Sequence, residues 1–150
     1  MKKKIEKVLD SVKEKLFSTI KDMDDLQRAT KHLQAKLKMA KLRYQGLQLV
    51  ANFASWQIGE TRDLNGTLNT LVEKRPDAYI FNTIIPPNTG FPPHFHEKDE
   101  FVQVISGTMK DHLVKGVWGA GSSLIYKEMK AHAPYNDTSK NVQLLVTFKR

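Results

Sequence analysis

Apolar and small residues recur every three or four positions along the first third of the chain. One set is Ile5, Val12, Thr19, Leu26, Leu33, Ala40 and Leu47, and the other is Leu9, Leu16, Met23, Thr30, Leu37 and Tyr44. Together they fill the core positions of about six heptads. Residues 2–45 contain no Gly and no Pro. The spacing therefore predicts a helical, coiled-coil-like oligomerisation segment over residues 1–47. A seven-residue repeat held this long implies a left-handed supercoil with a partner helix. A continuous helix of this kind would be about 65 Å long. The rest of the chain is too small to cover such a rod, so the expected partner is a second copy, giving a homo-oligomer through the N-terminal helix. The seam mixes β-branched and γ-branched residues, so dimer and trimer both fit. The run Lys21-Asp22-Met23-Asp24-Asp25 offers another reading, because it could end one helix and cap the next to make a helical hairpin. Gly46 is expected to end the helical pattern.

After the helix the period changes. Residues 48–76 form a linker and first strands, with Trp56, Gly59, Asn65 and Gly66 interrupting any simple repeat. From Asp77 on, short apolar runs alternate with turn residues. Tyr79–Ile85 reads as a strand, closed by the turn Pro86-Pro87-Asn88-Thr89-Gly90. Further strands are expected at Phe101–Ile105, Leu113–Trp118, Ser123–Tyr126 and Val142–Phe148. This spacing predicts a mainly β domain, a barrel or sandwich, over residues 77–150.

Charge divides the chain at the same place. Residues 1–50 hold 13 Lys/Arg against 6 Asp/Glu, and residues 51–150 hold 11 against 10. Lys2, Lys3, Lys4, Lys7, Lys31, Lys36, Lys38, Lys41 and Arg43 could meet nucleic-acid phosphates or an anionic surface. The favoured reading is the solvated outer face of a coiled coil, where Lys is common. No apolar run is long enough for a membrane span. No signal-peptide pattern follows the basic start, so a cytoplasmic location is expected.

The chain has no cysteine. Disulfides and thiolate metal sites are excluded, which leaves His and carboxylates as the strong metal ligands. Four of the five histidines lie after residue 90. His94 and His96 flank Phe95, and in a strand residues i and i+2 share a face. Glu100, four residues on, can return a carboxylate to that face, and His132 would have to arrive from a separate strand. Imidazoles plus one carboxylate suit a divalent transition metal, Fe, Mn, Ni or Zn. An HxH pair taken alone is more often surface or core packing than a metal site.

The wider spacing resembles the cupins. Gly90, His94, His96, Glu100 and Gly107 follow the first cupin signature, with three residues between His96 and Glu100 and six between Glu100 and Gly107. The lead-in from Gly90 to His94 is two residues shorter than usual. Gly121, His132 and Asn136 keep the frame of the second signature, with Lys127 and Met129 where it has Pro and Gly. The resemblance spans residues 77–150. It implies a double-stranded β-helix, a jelly-roll-like barrel, preceded by the long helix or hairpin. It also implies a metal held by His94, His96, Glu100 and His132, with open positions facing a small ligand. Cupins include dioxygenases, isomerases, decarboxylases and lyases.

Two functions from different classes follow. One is a metal-dependent enzyme acting on a small polar or carboxylate-bearing molecule. The other is a non-catalytic binding or assembly protein, in which the coiled coil gathers copies and the barrel is a head domain. Phe91, Phe95, Phe101, Trp118, Tyr126 and Phe148 could line a ligand pocket, although strand aromatics more often fill the core. Gln103, Tyr126 and Tyr135 are candidates to touch a ligand. His32 and His112 are expected at the surface, and Asn136 is expected to fix a turn.

Overall fold

The computed structural model describes residues 2–150, and of Lys2, Lys3 and Lys4 only the backbone. Their contribution to a basic face therefore lies outside the described residues. The chain begins with one helix, α1 (Lys2–Val50), of 49 residues. It runs through the acidic cluster without a break. Asp25 pairs with Arg28 one turn on, at 2.8 Å, and Thr19 and Thr30 turn their hydroxyls back to the carbonyls of Lys15 and Leu26. The chain divides into two compact units, one ending at Met39 and the other Ala40–Arg150.

In the first unit the helix carries Ile5, Leu9, Val12, Leu16, Met23, Leu26, Leu33 and Leu37, each more than half exposed. These are residues that the heptad pattern assigns to a core. Among the described residues, no helix is long and apolar enough to cross a membrane.

The second unit starts with the helix end, and here one expectation is corrected. Gly46 does not stop the helix, which continues to Val50. The glycine is buried, and an added Cβ would overlap the Phe95 carbonyl oxygen. Its missing side chain serves a close backbone approach rather than a helix end. A single 3-10 turn, Phe53–Ser55, follows.

Ten strands come next. They are β1 (Thr61–Leu64), β2 (Thr67–Lys74), β3 (Ala78–Ile85), β4 (Thr89–Gly90), β5 (Glu100–Ser106), β6 (Thr108–Asp111), β7 (Val117–Gly119), β8 (Ser123–Tyr126), β9 (Pro134–Asn136) and β10 (Val142–Lys149). They pair antiparallel in two sheets, ordered β1-β2-β3-β10-β5-β8 and β4-β9-β6-β7. This is the expected double-stranded β-helix. Buried residues alternate with exposed ones along β5 and with half-buried ones along β10, so each strand turns one face to the interior. Val102, Val104, Leu144 and Val146 meet there with Leu71, Phe81 and Met109. Phe53, just beyond the helix, joins this core, with its ring 4.6 Å from Phe81 and 5.0 Å from Phe148.

Two strand expectations change. Leu113–Trp118 is not one strand, and only Val117–Gly119 pairs. The Asp111 carboxylate accepts the N–H groups of Leu113 and Val114 and folds that stretch into a turn. The segment around His94 and His96 is not a strand either. It makes one isolated bridge, His94 to His132.

Candidate metal centre

That bridge is what assembles the site. The N–H of His94 donates to the His132 carbonyl at 3.0 Å, and the N–H of His132 donates back at 2.9 Å. Two residues exchanging both bonds in an antiparallel pair project their side chains to one face. The two rings accordingly lie 4.3 Å apart, centroid to centroid. His96, two residues along an extended segment, turns its ring to the same side, 4.9 Å from His132. Glu100 enters as the first residue of β5. All four side chains are buried, and among the described residues they form the group whose ligand atoms converge, within 4.8 Å of one another.

Each imidazole is held the same way. The Nδ1 atoms of His94, His96 and His132 lie 2.7, 2.8 and 2.9 Å from the carbonyl oxygens of Pro92, Lys98 and Lys130. A carbonyl can only accept, so each Nδ1 carries the proton, and Nε2 is left as the nitrogen that faces the centre. Metal-ligating histidines are oriented in this manner. Glu100 Oε2 lies 2.7 Å from His96 Nε2 and 3.1 Å from His132 Nε2. With Nδ1 already protonated, each Nε2 meets the carboxylate with a lone pair unless a proton or a metal ion lies between them.

The titration behaviour follows. Burial, helped by the His132 ring, pulls His94 down to about 4. Burial also pulls on His96, but the hydrogen bond and charge of Glu100 outweigh it and raise the imidazole above its ordinary value. Burial opposes ionisation of Glu100, yet the hydrogen bonds from His132 and His96 hold its carboxyl well below the usual range. A carboxylate kept charged among imidazoles, at least one of them kept neutral, fits a divalent transition metal of borderline softness.

The turn before His132 is shaped by Met129 and Lys127. Met129 adopts φ +62°, the left-handed conformation that glycine tolerates best, and its N–H donates to the His96 carbonyl at 2.9 Å. Lys127 is free to point outward and pairs with Asp99. Asn136 is fully buried, and its side chain bonds Ile85, Lys140 and Thr138, closing the loop between β9 and β10.

Sequence reasoning missed Asp111. Its carboxylate accepts from Tyr126 Oη at 2.8 Å and from the N–H of Ala133, beside His132. The turn it makes with Leu113 and Val114 is readable from local spacing. Its reach to Tyr126 and Ala133 is not, because both partners are distant in the chain.

The interior next to the centre is a narrow cavity of about 30 Å³. That is space for about two waters. Phe91, Tyr126 and Phe148 line it, as do Asn69 and Thr83, which hydrogen bond to each other. Phe95 is buried, Trp118 is half-buried, and Phe101 and Gln103 are exposed. Tyr135 stacks on the exposed His112 at 3.8 Å, and His32 is exposed on the helix.

Comparison with known proteins agrees with this architecture. Residues 81–148 match the family model of the cupin domain. Among solved structures the chain is similar to the polyketide cyclase RemF from Streptomyces resistomycificus, with 20% identity over 55% of this chain and 64% of that one, at a TM-score of 0.52. It is similar to Rhodobacter sphaeroides SigE in complex with the anti-sigma ChrR, with 21% identity over 65% and 55% of the two chains, at 0.55. An RmlC-like cupin from Shewanella frigidimarina aligns with 17% identity over 61% and 83%, at 0.55. The chain spans less than two thirds of the first two proteins' length. At these identities the likeness is one of fold. No curated protein matches the sequence.

Proposed function

Residues 81–148 form a cupin domain, and on that premise we propose that the chain is a metal-binding cupin acting on a small polar or carboxylate-bearing molecule. His94, His96, Glu100 and His132 would hold the ion, which is Fe, Mn, Ni or Zn. The observation that carries this reading is the triple anchoring of Nδ1 to main-chain carbonyls, which turns three Nε2 atoms and a charged carboxylate toward one point. A bound divalent ion would supply Lewis acidity toward a carbonyl or carboxylate oxygen. The chain's own residues orient the ligands, exclude bulk water through the apolar wall, and limit the size of what can enter.

A second reading has its own support. The interior volume is small and the helix leaves a long row of apolar side chains exposed. In that reading the domain is a non-catalytic head and self-association of α1 is the main activity. The similar structures include a polyketide cyclase and a SigE complex with the anti-sigma ChrR, so the fold alone does not choose between the readings. In both readings the exposed seam of α1 pairs with a second copy of the chain.

Protein purified without a metal-affinity tag should carry about one transition metal per chain by elemental analysis. His96→Ala should lose it. A metal-free wild type, or a His96→Ala protein with full metal content, would count against the centre. Loss of oxygen uptake or of small-acid turnover in His96→Ala selects the enzyme. A lowered melting temperature with no such activity in wild type selects the head domain.

A further inference from the structure

The segment carrying His94 and His96 is braced from outside the sheets. Backbone groups in an extended segment alternate in direction. The N–H of His94 is used by His132, so that of Phe95 points the other way and needs another acceptor. Phe95 is 2% exposed, and an unpaired N–H there would be costly. The acceptor is the Leu42 carbonyl of α1, at 3.3 Å. One turn further along, Gly46 lies so close that any Cβ would overlap the Phe95 carbonyl oxygen. Between them Arg43 pairs with Glu97, the residue after His96. Three contacts from little more than one helical turn thus fall within His94–Glu97.

We propose that the Leu42–Gly46 turn of α1 is a positioning element of the metal centre, with Gly46 the residue that sets the distance. The inference rests on the metal reading above. The turn touches no ligand atom, so it acts through Phe95. It fixes the strip of backbone from which two of the three imidazoles hang. Coupling of this kind runs both ways. A displaced helix end lowers metal affinity, and a bound metal makes the helix end harder to open. Residues that orient metal ligands from behind contribute about 10- to 100-fold in affinity.

The test uses the full chain, stripped with a chelator and titrated with Co(II). Gly46→Ala should weaken Co(II) binding by about tenfold or more and change the visible ligand-field spectrum. Arg43→Gln, which removes only an exposed ion pair, should weaken it by about threefold or less. Gln48→Ala, on an exposed part of the same helix, should leave affinity and spectrum unchanged. Wild-type protein gives a measurement independent of any variant. On Co(II) loading, hydrogen exchange should slow at the Leu42–Val50 amides as well as at Phe95. A folded Gly46→Ala protein with wild-type affinity and spectrum overturns the proposal. So does Co(II) protection confined to 94–100 and absent from the helix. If wild type binds no Co(II), the metal centre itself fails, a result separable from the other two.

Discussion

The Tyr126 ring lies flat on the His132 imidazole, with centroids 4.0 Å apart and planes 7° from parallel. Its hydroxyl donates to Asp111. Burial and the Asp111 charge push the phenol above its ordinary value, so it remains a neutral donor. Asp111 in turn accepts the N–H of Ala133. The ring and the backbone of the His132 arm are therefore fixed by one carboxylate. Asp111→Ala would strip acceptors from three N–H groups and one hydroxyl. It should cost about 2–4 kcal/mol by chemical denaturation. Tyr126→Phe keeps the stack and should cost about 1 kcal/mol with little change in metal affinity. A larger loss of metal in Tyr126→Phe than in Asp111→Ala would contradict this order.

Met129 holds a left-handed conformation that costs an L-residue about 1 kcal/mol. Its side chain is half exposed, so little packing is lost on truncation. Met129→Gly should stabilise the protein by up to about 0.5 kcal/mol, the relief of strain slightly exceeding the added freedom of the unfolded chain. A lowered denaturation midpoint would show that the methionine side chain contributes more than its exposure indicates.

In metal-free protein, His94 titrates near 4 when folded, against 6.5 when unfolded. Between those values the unfolded chain binds a proton that the folded chain does not. Stability should therefore fall as pH drops from about 6.5 to about 4, by about 3 kcal/mol, then level for this group. His96, raised when folded, acts in the opposite sense and above that window. Glu100 adds its loss only below about 4.5. Denaturation curves at stepped pH should show the slope in wild type and a flatter profile in His94→Gln. Equal slopes would rule out His94 as its source.

Leu16 and Leu26 are 58% and 69% exposed in one copy of the chain. If a second copy covers them, Leu16→Lys with Leu26→Lys should yield a monomer by light scattering, with the barrel's melting transition unchanged. An unaltered mass would place the assembly contacts elsewhere.

What the sequence made readable follows from the range of each interaction. Heptad spacing and the ordered His, Glu and Gly positions are local repeats or fixed intervals, so the helix, the barrel and the four converging side chains could be anticipated. β6 and β9 could not. Thr108–Asp111 and Pro134–Asn136 are short, and they become strands only by pairing with each other and with β7 and β4. Gly46 was legible as a glycine but not in its purpose. Its reason for being small is Phe95, which lies far along the chain.

Each histidine finds the acceptor for its Nδ1 proton two residues away on its own strand of backbone, at Pro92, Lys98 or Lys130. All three acceptors are main-chain oxygens, which every amino acid supplies. The choice of ring nitrogen is therefore insulated from mutation at those three positions. Substitutions at Lys98 and Lys130, both exposed, would change the surface charge beside the centre while each ring keeps presenting the same nitrogen.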